Sequence, residues 1–161
     1  MSVVIVNRQC TKKVNVRRLR QMLTAALKEL GVTQAELEIN LVAAAEMTRI
    51  NETFLRHAGS TDVITFDYRE PRGRKPEAAD NLHGELLVCV DEAVRQARKF
   101  KTTWQSEVLR YIVHGILHLL GHEDLKAVSR RRMKRAEDRL VRSLSRRFSL
   151  AQLGTAAKLG R

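Results

Sequence analysis

The chain has 161 residues, 43% of them hydrophobic, and a formal net charge of +12. This length and composition predict one globular domain that can bury a substantial core, and they exclude an intrinsically disordered chain. No apolar run approaches the roughly 20 residues that span a bilayer, and two cysteines cannot form a disulfide framework. The residues after Met1 lack the flanks of a signal peptide, so we expect a cytoplasmic, reducing environment.

Hydrophobic periodicity predicts a chain in which strands and helices alternate at first and helices follow. The expected elements are a strand at 3–6, a helix at 16–30, a strand at 36–42, a helix at 45–55, strands at 61–68 and 82–90, a helix at 91–101 capped by Asp91, a helix opened by Thr103 or Ser106, and a basic helix at 125–144. The order β-α-β-α-β-β-α-α-α predicts an α+β fold with helices packed on one small mixed sheet.

Two segments are predicted to lie outside these elements. Residues 69–81 contain both prolines and are the most obvious loop in the sequence, a candidate mobile flap. Residues 146–161 resemble a weakly ordered basic tail. We therefore expect a single domain over residues 1–145, followed by that tail.

The positive charge is concentrated near the C-terminal end. Residues 125–161 contain twelve lysines and arginines against two acids. Such a segment favours a polyanionic partner, either nucleic acid or an anionic membrane surface. A solvated basic helix without a partner is the alternative.

The most informative stretch is the apolar segment that contains His114 and His118. On a helix, residues four apart lie on the same face, a spacing that suits two imidazoles on one divalent cation. Unpaired polar groups in an apolar interior are costly, and a metal would satisfy them. Gly121 predicts the end of this helix and a turn that can return a third ligand to the same face.

The candidates for that third ligand are the residues that follow the turn, namely His122, Glu123 and Asp124. Three protein ligands with one open position are typical of a catalytic zinc site. Zinc peptidases of the His-Glu-x-x-His type carry their general base directly after the first histidine. That position is Gly115 here, so we do not expect a peptidase.

These residues resemble the bacterial YbeY family of rRNA maturation factors. The resemblance rests on the run from His114 to Gly121, on Thr61-Asp-Val-Ile-Thr-Phe66 and on Gly84-Glu-Leu86, and it extends over about residues 36–142. It implies a fold related to zinc metallopeptidases and a zinc-dependent endoribonuclease specific for single-stranded RNA. It also implies action in rRNA maturation at the 3′ end of 16S rRNA and in ribosome quality control, with one Zn²⁺ per chain. The partners expected are single-stranded RNA, rRNA and the small ribosomal subunit, without membrane or DNA.

The sequence departs from the family pattern at two places. The family usually continues Gly-Tyr-Asp-His after the helix, whereas this chain has Asp124 at the position of that histidine and His122 at that of the tyrosine. We take His114, His118 and Asp124 as the metal ligands, with His122 as the second choice for the third. Many members carry an arginine at the position of Leu55, and the neighbouring Arg56 is our candidate for its role.

The expected catalytic residues are therefore Arg56, His114 and His118. A metal held at the histidines would polarise a phosphate oxygen or lower the pKa of a bound water. Arg56 would stabilise the charge of the transition state. Glu85 and His83 are candidates to line the cleft from the adjacent strand, with a role at the strand edge as the alternative for His83. The alternative from another class is a non-catalytic rRNA-binding assembly factor with a structural zinc.

Overall fold

A four-stranded mixed sheet forms the centre of the fold in the computed structural model, which describes residues 1–56, 59–69 and 81–154. Its strands are β1 (Ser2–Asn7), β2 (Gln34–Val42), β3 (Val63–Asp67) and β4 (Asn81–Cys89). They are arranged in the order β1-β2-β4-β3. The β1–β2 and β2–β4 pairs are parallel, and β3 pairs antiparallel to β4. The predicted α+β fold with one small mixed sheet is therefore confirmed.

The described helices follow the predicted order. They are α1 (Val16–Glu29), α2 (Ala44–Phe54), α3 (Val90–Phe100), α4 (Trp104–Leu119) and α5 (Ala127–Arg147). None of these helices is long and apolar enough to cross a membrane.

The caps of α3 and α4 differ from each other. The prediction that Asp91 caps α3 is wrong, because this helix begins one residue earlier and its N-cap, Cys89, makes no side-chain hydrogen bond. The Asp91 carboxylate instead accepts a hydrogen bond from the backbone N–H of Ala44, at 2.6 Å. Of the two residues considered for α4, Thr103 is the N-cap and accepts from the N–H of Ser106.

Helix α4 lies close against the sheet because two glycines leave room for it. A Cβ on Gly115 would lie 2.8 Å from Cδ2 of Leu86, and a Cβ on Gly84 would lie 2.6 Å from the carbonyl oxygen of Phe66. Gly84 also faces Leu119, at the end of α4. The main core lies on this face of the sheet, and a smaller apolar cluster around Met47 lies under α2.

The two segments predicted outside the elements are described only in part. Most of the predicted flap, residues 70–80, lies outside the described residues. In the predicted tail, Arg147 ends α5, and a 3₁₀ turn follows at Leu150–Leu153. Leu153 is buried, and its carbonyl accepts a hydrogen bond from the N–H of Asn15. Residues 155–161 are not described, and the boundary between domain and tail stays a prediction.

Candidate metal centre

The end of α4 determines the geometry of the site. Gly121 has a φ of +99°, a conformation that favours glycine. Its N–H donates to the carbonyl of His118, and the N–H of His122 donates to the carbonyl of Leu117, both at 3.0 Å. This pair of bonds is a Schellman motif. The chain reverses there, and Asp124 comes to lie beside the last turn of the helix.

Three side chains meet at this reversal: those of His114, His118 and Asp124. The Nε2 atoms of His114 and His118 are 3.1 Å apart. Oδ2 of Asp124 lies 3.8 Å from Nε2 of His114 and 3.6 Å from Nε2 of His118. Ligand atoms of a tetrahedral site with bonds of about 2.0–2.2 Å are roughly 3.3–3.6 Å apart. The donor set therefore fits one small divalent cation with shifts of a few tenths of an ångström.

Hydrogen bonds at the other ring nitrogen fix both imidazoles. Nδ1 of His118 lies 3.0 Å from the carbonyl oxygen of His122, and Nδ1 of His114 lies 2.8 Å from Oε2 of Glu137. Both partners are acceptors, so each Nδ1 carries a proton and Nε2 is the ring nitrogen that can face a metal. Metal-binding histidines are commonly oriented in this way. His122 contributes its carbonyl to this arrangement, and its ring is not part of the described three-residue group.

Glu137 on α5 links the site to a buried ionic network. Its side chain is buried, and it also accepts a hydrogen bond from Nη1 of Arg110, at 2.8 Å, while Arg110 binds Asp138 at 2.7 Å. Burial would raise the pKa of Glu137, but the hydrogen bonds from His114 and Arg110 outweigh it and leave that pKa lowered. The hydrogen bond to Glu137, opposed by burial, raises the pKa of His114. The network holds the Glu137 carboxylate ionised against the imidazole.

The sequence interpretation did not include Glu137. A signal for it exists, because the residue occupies the buried stripe of α5 together with Met133, Leu140 and Leu144. An acid in that position needs a buried partner. The Arg110 guanidinium forms ion pairs with both Glu137 and Asp138.

An open cleft of about 620 Å³ extends from the three-residue group along the start of β3. Its described lining residues are Asn51, Leu55, Ser60, Thr61, Asp62, Val63, Ile64, Thr65, His114, His118 and Asp124. The side-chain amide of Asn51 donates to the carbonyl of Gly59 at 2.8 Å, which fastens the turn before β3. The segment from Thr61 to Thr65, which carried part of the resemblance, therefore forms one wall of the cleft.

Arg56 lies at the edge of this region. It is exposed, has a φ of +54°, and follows Leu55, which does line the cleft. Arg56 itself is not among the described lining residues. Its role stays a prediction.

The expectation that His83 and Glu85 line the cleft is wrong. Both alternate along β4 with Gly84, which faces α4, so they project from the opposite face of the sheet. There Glu85 accepts a hydrogen bond from the hydroxyl of Tyr68, at 2.6 Å, and Nε2 of His83 lies 3.5 Å from the carboxylate of Glu36.

Comparison with known proteins assigns this sequence to a family. Residues 4–145 match the family model described as Endoribonuclease YbeY. A relative named Endoribonuclease YbeY from Anaeromyxobacter sp. (strain Fw109-5) is 36% identical over 127 residues, which cover 79% of this chain and 64% of that protein. One of the same name from Chlorobium phaeovibrioides is also 36% identical, over 79% of this chain and 80% of the relative. This chain thus spans slightly less than two thirds of the first relative.

A solved structure agrees at the level of the fold. The solution structure of TM1509 from Thermotoga maritima matches with a TM-score of 0.68 at 23% identity, over 99% of this chain and 100% of that one. At this identity the match shows the fold alone. The family match rests on sequence and covers nearly all of the described residues. The chain belongs to the YbeY family.

Proposed function

We propose that the chain is a metal-dependent endoribonuclease that cleaves single-stranded RNA. The observation that carries this proposal is the group of His114, His118 and Asp124 at the end of an open, solvent-accessible cleft. The name of the family that the chain belongs to supports RNA as the substrate. We further propose action in the cytoplasm on rRNA of the small subunit, at the 3′ end of 16S rRNA, and a part in ribosome quality control.

The residues that would hold the metal are His114, His118 and Asp124. Two imidazoles and one carboxylate suit Zn²⁺ and also other divalent cations, and we propose Zn²⁺, one per chain. When bound, such an ion supplies Lewis acidity and lowers the pKa of a coordinated water towards neutrality. Glu137 and the carbonyl of His122 would hold the imidazoles of His114 and His118 in the orientation that the ion requires.

The remaining cleft residues would bind and orient the RNA strand. Arg56 stands beside the cleft-lining Leu55, and we propose that its guanidinium contacts the phosphate that is cut. Asn51 would preserve the shape of the turn before β3 through its hydrogen bond to Gly59.

Gly115 argues against a peptidase of the His-Glu-x-x-His type. The position holds no side chain, and the space beside it is filled by Leu86 and by Cγ2 of Thr65, 3.2 Å from where a Cβ would lie. A glutamate general base at this place would have to displace the side chains of Leu86 and Thr65.

The test compares metal content and cleavage of a labelled single-stranded RNA for the unaltered chain, His118→Ala and Asp124→Asn. His83→Ala is the matched control, because His83 is remote from the cleft. We expect both site variants to lose cleavage and to bind metal more weakly, while the control keeps both. Cleavage that persists in His118→Ala, with metal absent, would contradict the proposal.

The third ligand has its own test. We expect Asp124→His to keep the metal, because imidazole is an equally good ligand for zinc, and His122→Ala to keep it as well. Loss of metal in His122→Ala, with retention in Asp124→Asn, would assign the site to His122 instead.

A non-catalytic rRNA-binding assembly factor with a structural zinc is the second candidate. The exposed arginines of α5, which lie outside the cleft, favour a role in holding RNA. Metal and RNA binding without any cleavage of single-stranded RNA by the unaltered chain would support it over the enzyme.

A further inference from the structure

The outer face of α5 carries a row of arginines at alternating spacings of three and four residues. They are Arg132, Arg135, Arg139, Arg142 and Arg146, and all five are exposed. Such spacing places side chains on one stripe of a helix. The stripe lies opposite the buried residues of the same helix, among them Met133, Glu137 and Leu144. We call these five residues the arginine stripe.

Nothing among the described residues neutralises the arginine stripe. None of its members makes a described ion pair, whereas Lys134 pairs with Asp138 and Arg147 with Glu29. The two acids of α5, Glu137 and Asp138, bind Arg110 on α4 instead. Like charges three and four residues apart repel each other and destabilise the helix. The stripe therefore carries an intrinsic cost that a bound polyanion would relieve.

The arginine stripe begins next to the candidate metal centre. Arg132 lines a shallow depression together with His122 and Glu123, the residues directly before Asp124. A helix rises about 1.5 Å per residue, so Arg146 lies roughly 21 Å farther along the axis. Successive arginines are separated by about 5 Å on average. The positive charge leads away from the cleft over the length of several nucleotides.

We infer that the arginine stripe binds the phosphate backbone of RNA outside the cleft, as a second contact site for the same strand. This inference rests on the proposed function, which makes RNA the substrate. Guanidinium groups bind phosphates bidentately. The stripe carries no aromatic side chain on which a base could stack, so its contacts are to the backbone and independent of sequence.

RNAs of two lengths distinguish binding at the arginine stripe from binding in the cleft. An oligonucleotide of about five nucleotides can occupy the cleft alone, whereas one of about 25 nucleotides can reach both sites. The test variant neutralises three central positions with a residue of similar helix propensity. It is Arg135→Gln/Arg139→Gln/Arg142→Gln. Circular dichroism and thermal unfolding establish that the fold is retained.

A matched control removes the same charge elsewhere. Helices α3 and α5 both pack against α4. The end of α3 carries three exposed basic residues. The control is Arg98→Gln/Lys99→Gln/Lys101→Gln. Binding is measured by fluorescence anisotropy in full chains that also carry His118→Ala, so that the RNA stays intact. Cleavage is measured with the site unaltered.

We expect the stripe variant to bind the long RNA roughly tenfold to a hundredfold more weakly at 0.1 M salt, because each lost contact to a single strand removes a slope of about 0.7 in log K against log salt. The magnitude of that slope should fall by about 2. The KM for the long RNA should rise with kcat unchanged, and the short RNA should be cut as before. The control should behave as the unaltered chain does.

Three results would overturn the inference while leaving the proposed function intact. If the stripe variant and the control lose affinity for the long RNA equally, the effect depends on net charge alone and not on the stripe. An unchanged KM and salt slope for the long RNA would show that the stripe does not touch it. Loss of binding to phosphatidylglycerol vesicles, with RNA binding retained, would assign the stripe to a membrane surface. Failure of the unaltered chain to cut either RNA would instead contradict the proposed function.

Discussion

Glu137→Gln tests whether the buried carboxylate holds the candidate metal centre in shape. The substitution keeps the size of the side chain and an oxygen that can accept from Nδ1 of His114, but it removes the charge. In the unaltered chain this carboxylate lies 2.8 Å from both Nδ1 of His114 and Nη1 of Arg110. The change therefore perturbs the orientation and basicity of one ligand without touching the proposed ligand atoms.

The expected magnitude follows from these two contacts. Loss of a partner that orients a metal-binding histidine lowers metal affinity by about 10- to 100-fold, which is roughly 1.4–2.8 kcal/mol. Removal of one member of a buried ion pair costs about 3–5 kcal/mol of stability. Arg110 is 31% exposed and keeps Asp138 as a partner, so we expect a smaller loss of about 1–3 kcal/mol.

Metal affinity is measured by competition with a chromogenic chelator, and the free energy of unfolding by urea titration of the metal-free chain. Asp138→Asn is the matched control, because Asp138 binds the same arginine but makes no contact with His114. We expect the control to lose stability and to keep its metal affinity. If Glu137→Gln and Asp138→Asn bind metal equally well, the contact between Glu137 and His114 does not orient the ligand.

Three further predictions concern the fold around the site. Gly121→Ala should destabilise the chain by about 1–2 kcal/mol in urea unfolding, since a side chain is strained at φ +99°; an unchanged midpoint would contradict this. Gly84→Ala should cost at least about 1–3 kcal/mol, because the added Cβ meets the backbone oxygen of Phe66, which cannot yield as a side chain can; thermal unfolding decides it. For Asp138, burial is outweighed by the hydrogen bond from Arg110, and the folded pKa is lowered. Its stabilisation is thus present above the ordinary pKa of about 3.9 and is lost as the pH falls through the lowered value, so the stability difference between the unaltered chain and Asp138→Asn should shrink there; a constant difference down to low pH would refute this.

The sequence predicted the order of the elements because each has a strong local signal. The helix of His114 and His118 begins after the cap Thr103, is mainly apolar from Val108 onward, and ends before Gly121. The N-cap Thr103 and the C-terminal Gly121 act on backbone groups close in sequence, so both can be recognised without knowledge of the tertiary structure. Asp91 was assigned wrongly for the opposite reason. Its carboxylate is used by the N–H of Ala44, which is distant in sequence, and a local capping rule cannot anticipate that contact.

The faces of β4 show a second limit. His83 and Glu85 are separated by Gly84, and the sequence alone does not say which face of the strand looks towards the histidines. The sequence shows that successive residues of β4 alternate between the two faces. Which residues face the helix depends on the packing of Gly84 against Leu119. The prediction therefore placed His83 and Glu85 on the wrong face of the sheet.

Glu137 shows why a correct ligand set is still an incomplete description of a site. The two histidines are only four residues apart, so their spacing reveals them. The carboxylate that orients His114 comes from another helix, 23 residues later. Its pairing depends on how α4 and α5 pack, which local patterns do not encode. A buried acid on the apolar stripe of a basic helix is nevertheless a cost that the chain must offset. The same helix thus has two opposite electrostatic roles: its inner face supplies a negative charge that fixes the imidazole, and its outer face supplies uncompensated positive charge suited to a phosphate backbone. The separation follows from the geometry of one helix, since residues on opposite faces are shielded from pairing with each other.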